Sequence, residues 1–318
     1  MPLPKALGFI GLGTMGLPMA KTLLKKCTGS YLYVYDVNSE AMESFAAENH
    51  DSVTTCPNPR AVADRADVLI SMVPAGPQVI AVYLDPDDGI LAANVGGKLL
   101  VDCSTIDIES FGKVRAKVSG SHPDTHFYDA PVSGGSLGAE AGTLTFMVGC
   151  SETDPLWDTL RSLLECMGTS IFACGGQSLG LTAKLCNNYC SGLIAIATSE
   201  AMNIGMRSGM DPAVLANIFA TSTAQSRICD KWNPVPGICP EAPSSHDYRG
   251  GFKVELMKKD FGLAVEAAKQ VGARLCLGEA GLKTYEEAAG DSNCAGRDSR
   301  VVFRYIGGKE DWNKTGEK

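Results

Sequence analysis

A glycine-rich turn near the N-terminus constrains the fold of this chain more than any other feature. The segment "GFIGLGTMG" places glycines at positions 11, 13 and 16, after an apolar run typical of a buried strand and before the helical pattern "MGLPMAKTLLKK". Gly11 permits a tight turn, and Gly16 allows the helix to pack closely on the strand. A strand, a G-x-G-x-x-G turn and a helix in this order predict the first βα unit of a parallel sheet.

The first half of the sequence continues this alternation of strands and helices. Strand-like runs ending in turn residues are "YLYVYD", "DVLISMVP", "KLLVDCST", "HFYDAPVSGG", "TLTFMVG" and "SIFAC". Helical patterns lie between them, including "SEAMESFAAEN", for which Ser39 is the predicted cap, and a helix opening at Ser151 and Asp154 in a capping-box pattern. The alternation predicts an α/β fold, a Rossmann-type doubly wound sheet that is mostly parallel.

The pattern changes after Cys174, where "GGQSLG" makes a glycine-rich break. The next segment, "LTAKLCNNYCSGLIAIATSEAMNIGMRSG", predicts one long helix that is apolar nearly all round and therefore buried on most sides. Helical patterns follow in "DPAVLANIFATS", "KVELMKKDFGLAVEAAKQVG" and "LGEAGLKTYEEAAG". We therefore expect a sheet-containing domain over residues 1–176 and an all-α domain over 177–318, joined by the long helix.

Composition excludes several classes of partner. The 318 residues carry a net charge of −8, which argues against a nucleic-acid or anionic-membrane partner. The apolar run at 193–198 is bounded too closely by Asn188 and Glu200 to span a membrane. The twelve cysteines are scattered without a C-x-x-C pair, as expected for reduced thiols of an intracellular protein. His122 and His126 have no acidic or cysteine partner at a fitting distance, so no metal site is expected.

The glycine turn also predicts a ligand. Its helix N-terminus offers free N–H groups to a pyrophosphate, so the expected dinucleotide contacts are Gly11, Leu12, Gly13, Thr14, Met15 and Gly16. Asp36 ends the second strand, twenty residues past Gly16, where a carboxylate accepts hydrogen bonds from a ribose 2′-hydroxyl and repels a 2′-phosphate. The following residues, "VNSE", include no base. NAD is therefore expected rather than NADP.

A second polar group interrupts the long helix at its start. Lys184, Asn187 and Asn188 have i, i+3 and i+4 spacing and share one helical face. The lysine could extend from a buried helix to solvent, with the asparagines satisfied by backbone groups. It could instead be an acid/base in a cleft, oriented by an amide one turn on. Periodicity alone slightly favours the first interpretation.

Four motifs together resemble one enzyme family. "GFIGLGTMGLPMA", "DAPVSGG", "GLTAKLCNN" and "MKKDFGLA" occur in the order and at about the distances found in the β-hydroxyacid dehydrogenases. The resemblance runs from Leu7 to the last helices. The segments "WNPVPGI" and "SSHDYRGGF" are similar to those of the family members that oxidise 3-hydroxyisobutyrate in valine breakdown.

The resemblance implies roles for individual residues. Lys184 matches the catalytic acid/base, and Asn188 matches an asparagine that contacts the lysine and the substrate. The expected substrate-binding residues are Ser133, Gly134, Gly135, Asn187, Asn188 and Asp260. Further cofactor contacts are expected at Val73, Pro74, Gln78, Thr105 and Lys259. One departure is Ser178, which stands where the family usually has the first glycine of a G-x-G turn.

The activity implied is oxidation of 3-hydroxyisobutyrate to methylmalonate semialdehyde, with hydride transfer to NAD. Alternatives are a related enzyme acting on tartronate or succinic semialdehyde, and a non-catalytic NAD-binding module, against which the intact Lys184, Asn188 and "SGG" argue. A 6-phosphogluconate dehydrogenase would have a histidine in place of Asn187 and a longer C-terminal domain. The resemblance also implies a homodimer or homotetramer. It implies a mitochondrial location, although no presequence is visible and a cytoplasmic one stays open.

Overall fold

The computed structural model describes residues 4–312, and the chain forms two compact units, Met1–Lys184 and Leu185–Lys318. The first unit contains a six-stranded sheet. Its strands are β1 (Ala6–Ile10), β2 (Tyr31–Tyr35), β3 (Val53–Thr55), β4 (Val68–Ser71), β5 (Leu99–Asp102) and β6 (His126–Asp129). All neighbouring pairs are parallel, in the order β3-β2-β1-β4-β5-β6. The predicted doubly wound parallel sheet is confirmed, and the strand order reverses between β1 and β4.

Helices cover both faces of this sheet. Because successive side chains of a strand point to opposite faces, Leu7 and Phe9 of β1 belong to one hydrophobic core and Ile10 belongs to the other. The helices of the unit are α1 (Gly16–Lys26), α2 (Ser39–Glu48), α3 (Pro59–Ala63), α4 (Gly76–Leu84), α5 (Ile108–Ser121), α6 (Gly135–Ala141) and α7 (Trp157–Leu164). The parallel strands are thus buried on both sides, as all-parallel sheets require.

The structure also contains a second, smaller sheet, which the sequence pattern did not predict. It consists of β7 (Val132–Ser133), β8 (Leu144–Val148) and β9 (Gly168–Ala173), with β7 antiparallel and β9 parallel to β8. The run "HFYDAPVSGG", expected as one strand, is divided between β6 and β7. Pro131 lies between them and has no N–H to donate to a ladder.

Two predicted helix caps are wrong. Asn38, not Ser39, caps α2, because Asn38 has an extended backbone and its Oδ1 accepts the N–H of Ala41. Asp154 does not form a capping box with Ser151. Its Oδ1 instead accepts the N–H of Leu156 and the hydroxyl of Tyr128, both at 2.9 Å.

The second unit is helical. The long helix α8 (Leu179–Arg207) begins within the first unit and continues into the second, and it is followed by α9 (Pro212–Thr221), α10 (Arg227–Lys231), α11 (Val254–Gln270), α12 (Gly278–Gly290) and α13 (Val302–Tyr305). Phe261 and Tyr285 pack in its core, and the hydroxyl of Tyr285 donates to the carbonyl of Gly192 at 2.8 Å. No helix within residues 4–312 is long and apolar enough to cross a membrane.

Candidate active site

The glycine turn connects β1 to α1 at the carboxyl edge of the sheet. Gly11 has a φ of +95°, and a Cβ there would lie 2.2 Å from the carbonyl oxygen of Met72. A Cβ at Gly16 would lie 1.8 Å from the carbonyl oxygen of Gly11. A Cβ at Gly13 would meet no atom within 4 Å. Gly11 and Gly16 are therefore required by the turn itself, whereas the space at Gly13 is open to a ligand.

Asp36 is tied to this turn by its carboxylate. One oxygen accepts the N–H of Leu12 at 2.5 Å, and the other accepts the N–H of Asn38 at 2.7 Å. The N–H of Gly11 also donates to the carbonyl of Tyr35, the last residue of β2. The predicted pyrophosphate-binding turn and the predicted ribose-binding carboxylate thus form one hydrogen-bonded structure. Thr14, Gly13 and Asp36 all keep some solvent exposure, while Leu12 is buried.

The ends of β4 and β5 present the next predicted cofactor contacts, joined by a buried polar network. Val73 donates its N–H to the hydroxyl of Ser104 at 2.9 Å, and that hydroxyl donates to Asp102 Oδ1 at 2.7 Å. The hydroxyl of Ser71 donates to the same oxygen at 2.7 Å. Thr105 follows this network directly. Pro74, just before α4, and Gln78, in its first turn, are both exposed.

Asp102 holds this network together from a fully buried position. It is 1% exposed, and its Oδ2 has no hydrogen-bond partner among the described residues. Burial raises the pKa of Asp102 to about 6, against the lowering effect of its hydrogen bonds with Ser104 and Ser71. The sequence carries one signal for this residue, an aspartate at the end of the apolar strand "KLLVDCST".

The predicted substrate-carboxylate loop follows β7. Ser133 ends that strand and is half-buried, and Gly134 and Gly135 are exposed with φ values of +133° and +65°. These conformations favour glycine. A Cβ at Gly135 would meet nothing within 4 Å, so its backbone is open to approach.

Lys184 lies on the second turn of α8 and is buried, with 7% of its surface exposed. The turn before the helix contains Ser178, the residue that departs from the family pattern. Ser178 adopts a φ of +65°, a conformation natural to glycine. The serine therefore holds the turn in a conformation that costs a non-glycine residue some strain.

Within the second unit, four predicted residues form a connected polar group. Asn188 of α8 donates its Nδ2 hydrogen to Asp260 of α11 at 2.6 Å, and Lys259 Nζ lies 3.1 Å from the other oxygen of Asp260. Asn187 donates to Asn188 Oδ1 at 3.0 Å. Asn188 and Asp260 are buried, at 5% and 2% exposure, whereas Asn187 is exposed. Asn187 is thus placed to orient Asn188.

The residues present fit a bound dinucleotide. The open space at Gly13 would admit a pyrophosphate close to the backbone, and within residues 4–312 no side chain caps the N-terminus of α1. Asp36 lies beside that turn, where a ribose would follow. Among the described residues, no three His, Cys, Asp or Glu side chains are grouped so as to hold a metal ion.

Comparison with known protein families covers almost the whole chain. Residues 6–176 match the family described as the NAD binding domain of 6-phosphogluconate dehydrogenase. Residues 178–306 match the family described as NAD-binding of NADP-dependent 3-hydroxyisobutyrate dehydrogenase.

Individual relatives are similar over most of their length. A probable mitochondrial 3-hydroxyisobutyrate dehydrogenase of Dictyostelium discoideum is 43% identical, with 95% of this chain and 91% of the relative covered. An NAD-dependent L-serine dehydrogenase of Pseudomonas aeruginosa is 42% identical, with 88% and 91% covered. The solved structure of a Mycobacterium tuberculosis 3-hydroxyisobutyrate dehydrogenase with L-serine has a TM-score of 0.86 at 32% identity, with 96% of this chain and 99% of that chain covered.

Proposed function

This chain belongs to the 3-hydroxyisobutyrate dehydrogenase family, and on that premise we propose that it oxidises 3-hydroxyisobutyrate to methylmalonate semialdehyde in valine breakdown. At the coarser level it is an NAD-dependent β-hydroxyacid dehydrogenase. The observation that carries the proposal is the burial of Lys184 in α8, one helical turn before the buried Asn188. Burying a lysine is costly because its ammonium group loses contact with water, but burial also favours the neutral amine that an acid/base needs.

In the proposed reaction, neutral Lys184 takes the proton of the substrate hydroxyl. Bound NAD supplies the acceptor for the hydride that leaves the same carbon. In the reverse direction, ammonium Lys184 returns the proton and stabilises the negative charge that develops on oxygen. Asn188, held by Asp260 and Asn187, orients the lysine and the substrate oxygen.

The substrate carboxylate is assigned to the loop after β7. The hydroxyl of Ser133 and the backbone N–H groups of Gly134 and Gly135 would hold it, because the two glycines leave their amides accessible. An anion bound by fixed donors keeps the hydroxyl-bearing carbon at a constant distance from the lysine, which is how orientation contributes to rate.

Asp36 supports NAD rather than NADP as the cofactor. Both of its oxygens face backbone N–H groups of the turn region, so the carboxylate is held where a 2′-phosphate would be repelled. The family matched by residues 178–306 carries an NADP-dependent name, which makes direct measurement of the preference necessary.

L-serine is a second candidate substrate. It shares the carboxylate and the primary hydroxyl of 3-hydroxyisobutyrate, and carries an ammonium group where the latter has a methyl. The support is that a relative 42% identical is named an L-serine dehydrogenase, and that the Mycobacterium tuberculosis structure was solved with L-serine.

The test is NADH formation by the purified protein with 3-hydroxyisobutyrate, L-serine, tartronate and 4-hydroxybutyrate, each with NAD and NADP. Lys184→Met should lower kcat by about 100-fold or more, because a positioned general base contributes a factor of about 100 to 10,000, whereas Lys258→Met, at an exposed lysine of α11, should leave it unchanged. Higher kcat/KM with L-serine would make the second candidate the substrate. NAD binding without turnover of any of these acids would indicate that the protein is a non-catalytic NAD-binding module.

We also propose that the protein works as a homodimer or homotetramer, and in mitochondria. The family resemblance supports the assembly, and the relatives named mitochondrial support the location, although bacterial relatives exist as well. Light scattering of the purified protein tests the first proposal. A monomer at micromolar concentration would refute it, and fractionation of the source cells tests the second.

A further inference from the structure

A buried carboxylate lies at the N-terminus of the helix that carries Lys184. Asp129 ends β6, the edge strand of the large sheet, and is 1% exposed. Its Oδ1 accepts the N–H of Ser178 at 2.9 Å, and its Oδ2 accepts the N–H of Leu181 at 2.8 Å. Ser178 directly precedes α8 and Leu181 lies in its first turn, where N–H groups have no partner inside the helix.

Two glycines make room for this carboxylate. A Cβ at Gly149, just after β8, would lie 1.8 Å from Asp129 Oδ1. A Cβ at Gly180 would lie 2.8 Å from Asp129 Oδ2 and 2.2 Å from the carbonyl oxygen of Met147. Neither glycine has a positive φ, so space rather than backbone conformation requires them. The carboxylate therefore occupies a closely fitted site between β8 and α8.

This arrangement fixes the helix relative to the sheet. Leu181 precedes Lys184 by three residues, less than one turn of α-helix. Each residue of slippage would move the lysine by about 1.5 Å along the axis and by about 100° around it. Burial raises the pKa of Asp129, and the hydrogen bonds from the N–H groups of Leu181 and Ser178 act against that rise. When ionised, the carboxylate anchors the helix N-terminus, because its hydrogen bonds are charge-assisted and the helix dipole attracts it.

We propose that Asp129 is a positioning residue for the reaction: by binding the first turn of α8, it sets the height and rotation of Lys184 at the carboxyl edge of the sheet. This inference rests on the proposed role of Lys184 as the acid/base. Asp129 acts through the helix and touches neither substrate nor cofactor in the proposal.

The main variant is Asp129→Asn, which keeps the shape of the side chain but loses the charge and turns one acceptor into a donor facing an N–H. We expect kcat to fall about 10- to 100-fold, because a misplacement near 1 Å costs a rate factor of that order. KM for NAD should change less than about threefold, since the glycine turn is untouched. The pH dependence of kcat/KM should shift, because it reports the ionisation of the displaced base.

A matched control separates positioning from general stability. Asp154→Asn removes a carboxylate charge ahead of α7, a helix that carries no proposed site residue, and the remaining amide oxygen can still accept the N–H of Leu156 and the hydroxyl of Tyr128. It should leave kcat and the pH profile unchanged. A second variant, Gly180→Ala, leaves the carboxylate intact but forces the start of α8 away from Asp129 and Met147. It should lower kcat by about the same factor as Asp129→Asn. If Asp129→Asn does not fold, Gly180→Ala therefore still tests the proposal.

Amide hydrogen exchange in residues 179–186 gives a readout independent of activity. Exchange there should rise in Asp129→Asn and Gly180→Ala but not in Asp154→Asn. Unchanged exchange in both altered proteins, or a kcat that falls only in proportion to the folded fraction, would overturn the positioning role. Raised exchange together with full activity of Lys184→Met would instead refute the proposed function of the lysine while leaving the anchoring of α8 by Asp129 established.

Discussion

The carboxylate of Asp36 accepts the backbone N–H of Leu12 at 2.5 Å, which joins the end of β2 to the glycine turn after β1. The same side chain accepts the N–H of Asn38 ahead of α2. Asp36 therefore has a structural task before any cofactor binds. Its replacement will change both the shape of the turn and the selection of the ribose, and the two effects can be separated with a pair of variants.

Asp36→Asn should raise KM for NAD about tenfold and lower the preference for NAD over NADP by about the same factor. The variant keeps an oxygen that can accept from Leu12, but it loses the charge that repels a 2′-phosphate. Asp36→Ala also loses the tether and should lower the free energy of unfolding by about 1 kcal/mol more. Steady-state kinetics with both cofactors and thermal unfolding measure these effects.

Glu40→Gln is the control for Asp36, because it neutralises an exposed acid in the first turn of α2 that has no predicted contact with the cofactor. It should leave both KM values unchanged. An Asp36→Asn protein that still discriminates against NADP as strongly as the wild type would show that selection of the ribose lies elsewhere.

The pair Asn188 and Asp260 predicts a difference between two neighbouring asparagines. Asn188→Ala should lower kcat at least about tenfold and destabilise the protein by about 1–3 kcal/mol, because it leaves the buried carboxylate of Asp260 without its amide donor. Asn187→Ala removes an exposed amide that donates to Asn188 Oδ1, and it should cost less than about 1 kcal/mol because water can replace that donor. The measurements are kcat, KM and thermal unfolding of both variants. Equal losses in both would contradict the hydrogen bond from Asn188 to Asp260.

The fold could be predicted from the sequence because its main signals are local. The spacing of the glycines and of Asp36 along the sequence predicts the turn and its helix. The long helix α8 is predicted by a long apolar segment without proline. The contact between Asp129 and Leu181 spans 52 residues. It depends on β6 lying at the edge of the sheet and on the turn at Ser178, and neither follows from periodicity.

The division of "HFYDAPVSGG" between two sheets was missed for the same reason. Each half has strand character, and only the pairing partners, β5 for one and β8 for the other, distinguish them. The Asp102 network likewise requires β4 and β5 to be neighbours before Ser71 and Ser104 can meet one carboxylate. Roles assigned to Lys184 and Asn188 came from resemblance, since the spacing left two interpretations open.

Asp102 predicts a pH dependence of stability. Its pKa is about 6 in the folded protein and roughly 3.9 in an unfolded chain, so between these values the folded state holds a proton that the unfolded state has lost. The free energy of unfolding should therefore decrease as pH rises from about 4 to about 6, by roughly 3 kcal/mol in total for this group. Asp102→Asn cannot titrate and should lack this contribution.

Urea unfolding of both proteins between pH 4 and 8 checks the sign. The stability of the wild type relative to Asp102→Asn should fall with rising pH and become constant above about pH 7. Asp124→Asn, at an exposed position, should follow the wild type throughout. A difference that grows with pH would mean that the folded protein favours the ionised form of Asp102.

Ser178 predicts a stabilising substitution at the start of α8. A non-glycine residue at a φ of +65° costs about 1–2 kcal/mol, and glycine would remove that strain. Glycine also adds entropy to the unfolded chain, worth about 0.4–1 kcal/mol in the opposite direction. Ser178→Gly should therefore raise the free energy of unfolding by up to about 1 kcal/mol without changing kcat, since the N–H bound by Asp129 is retained. Ser178→Val should do the reverse, because a β-branched residue tolerates this conformation least. Thermal unfolding of the two variants in parallel gives the answer, and a Val variant as stable as the Gly variant would mean that the turn is not strained.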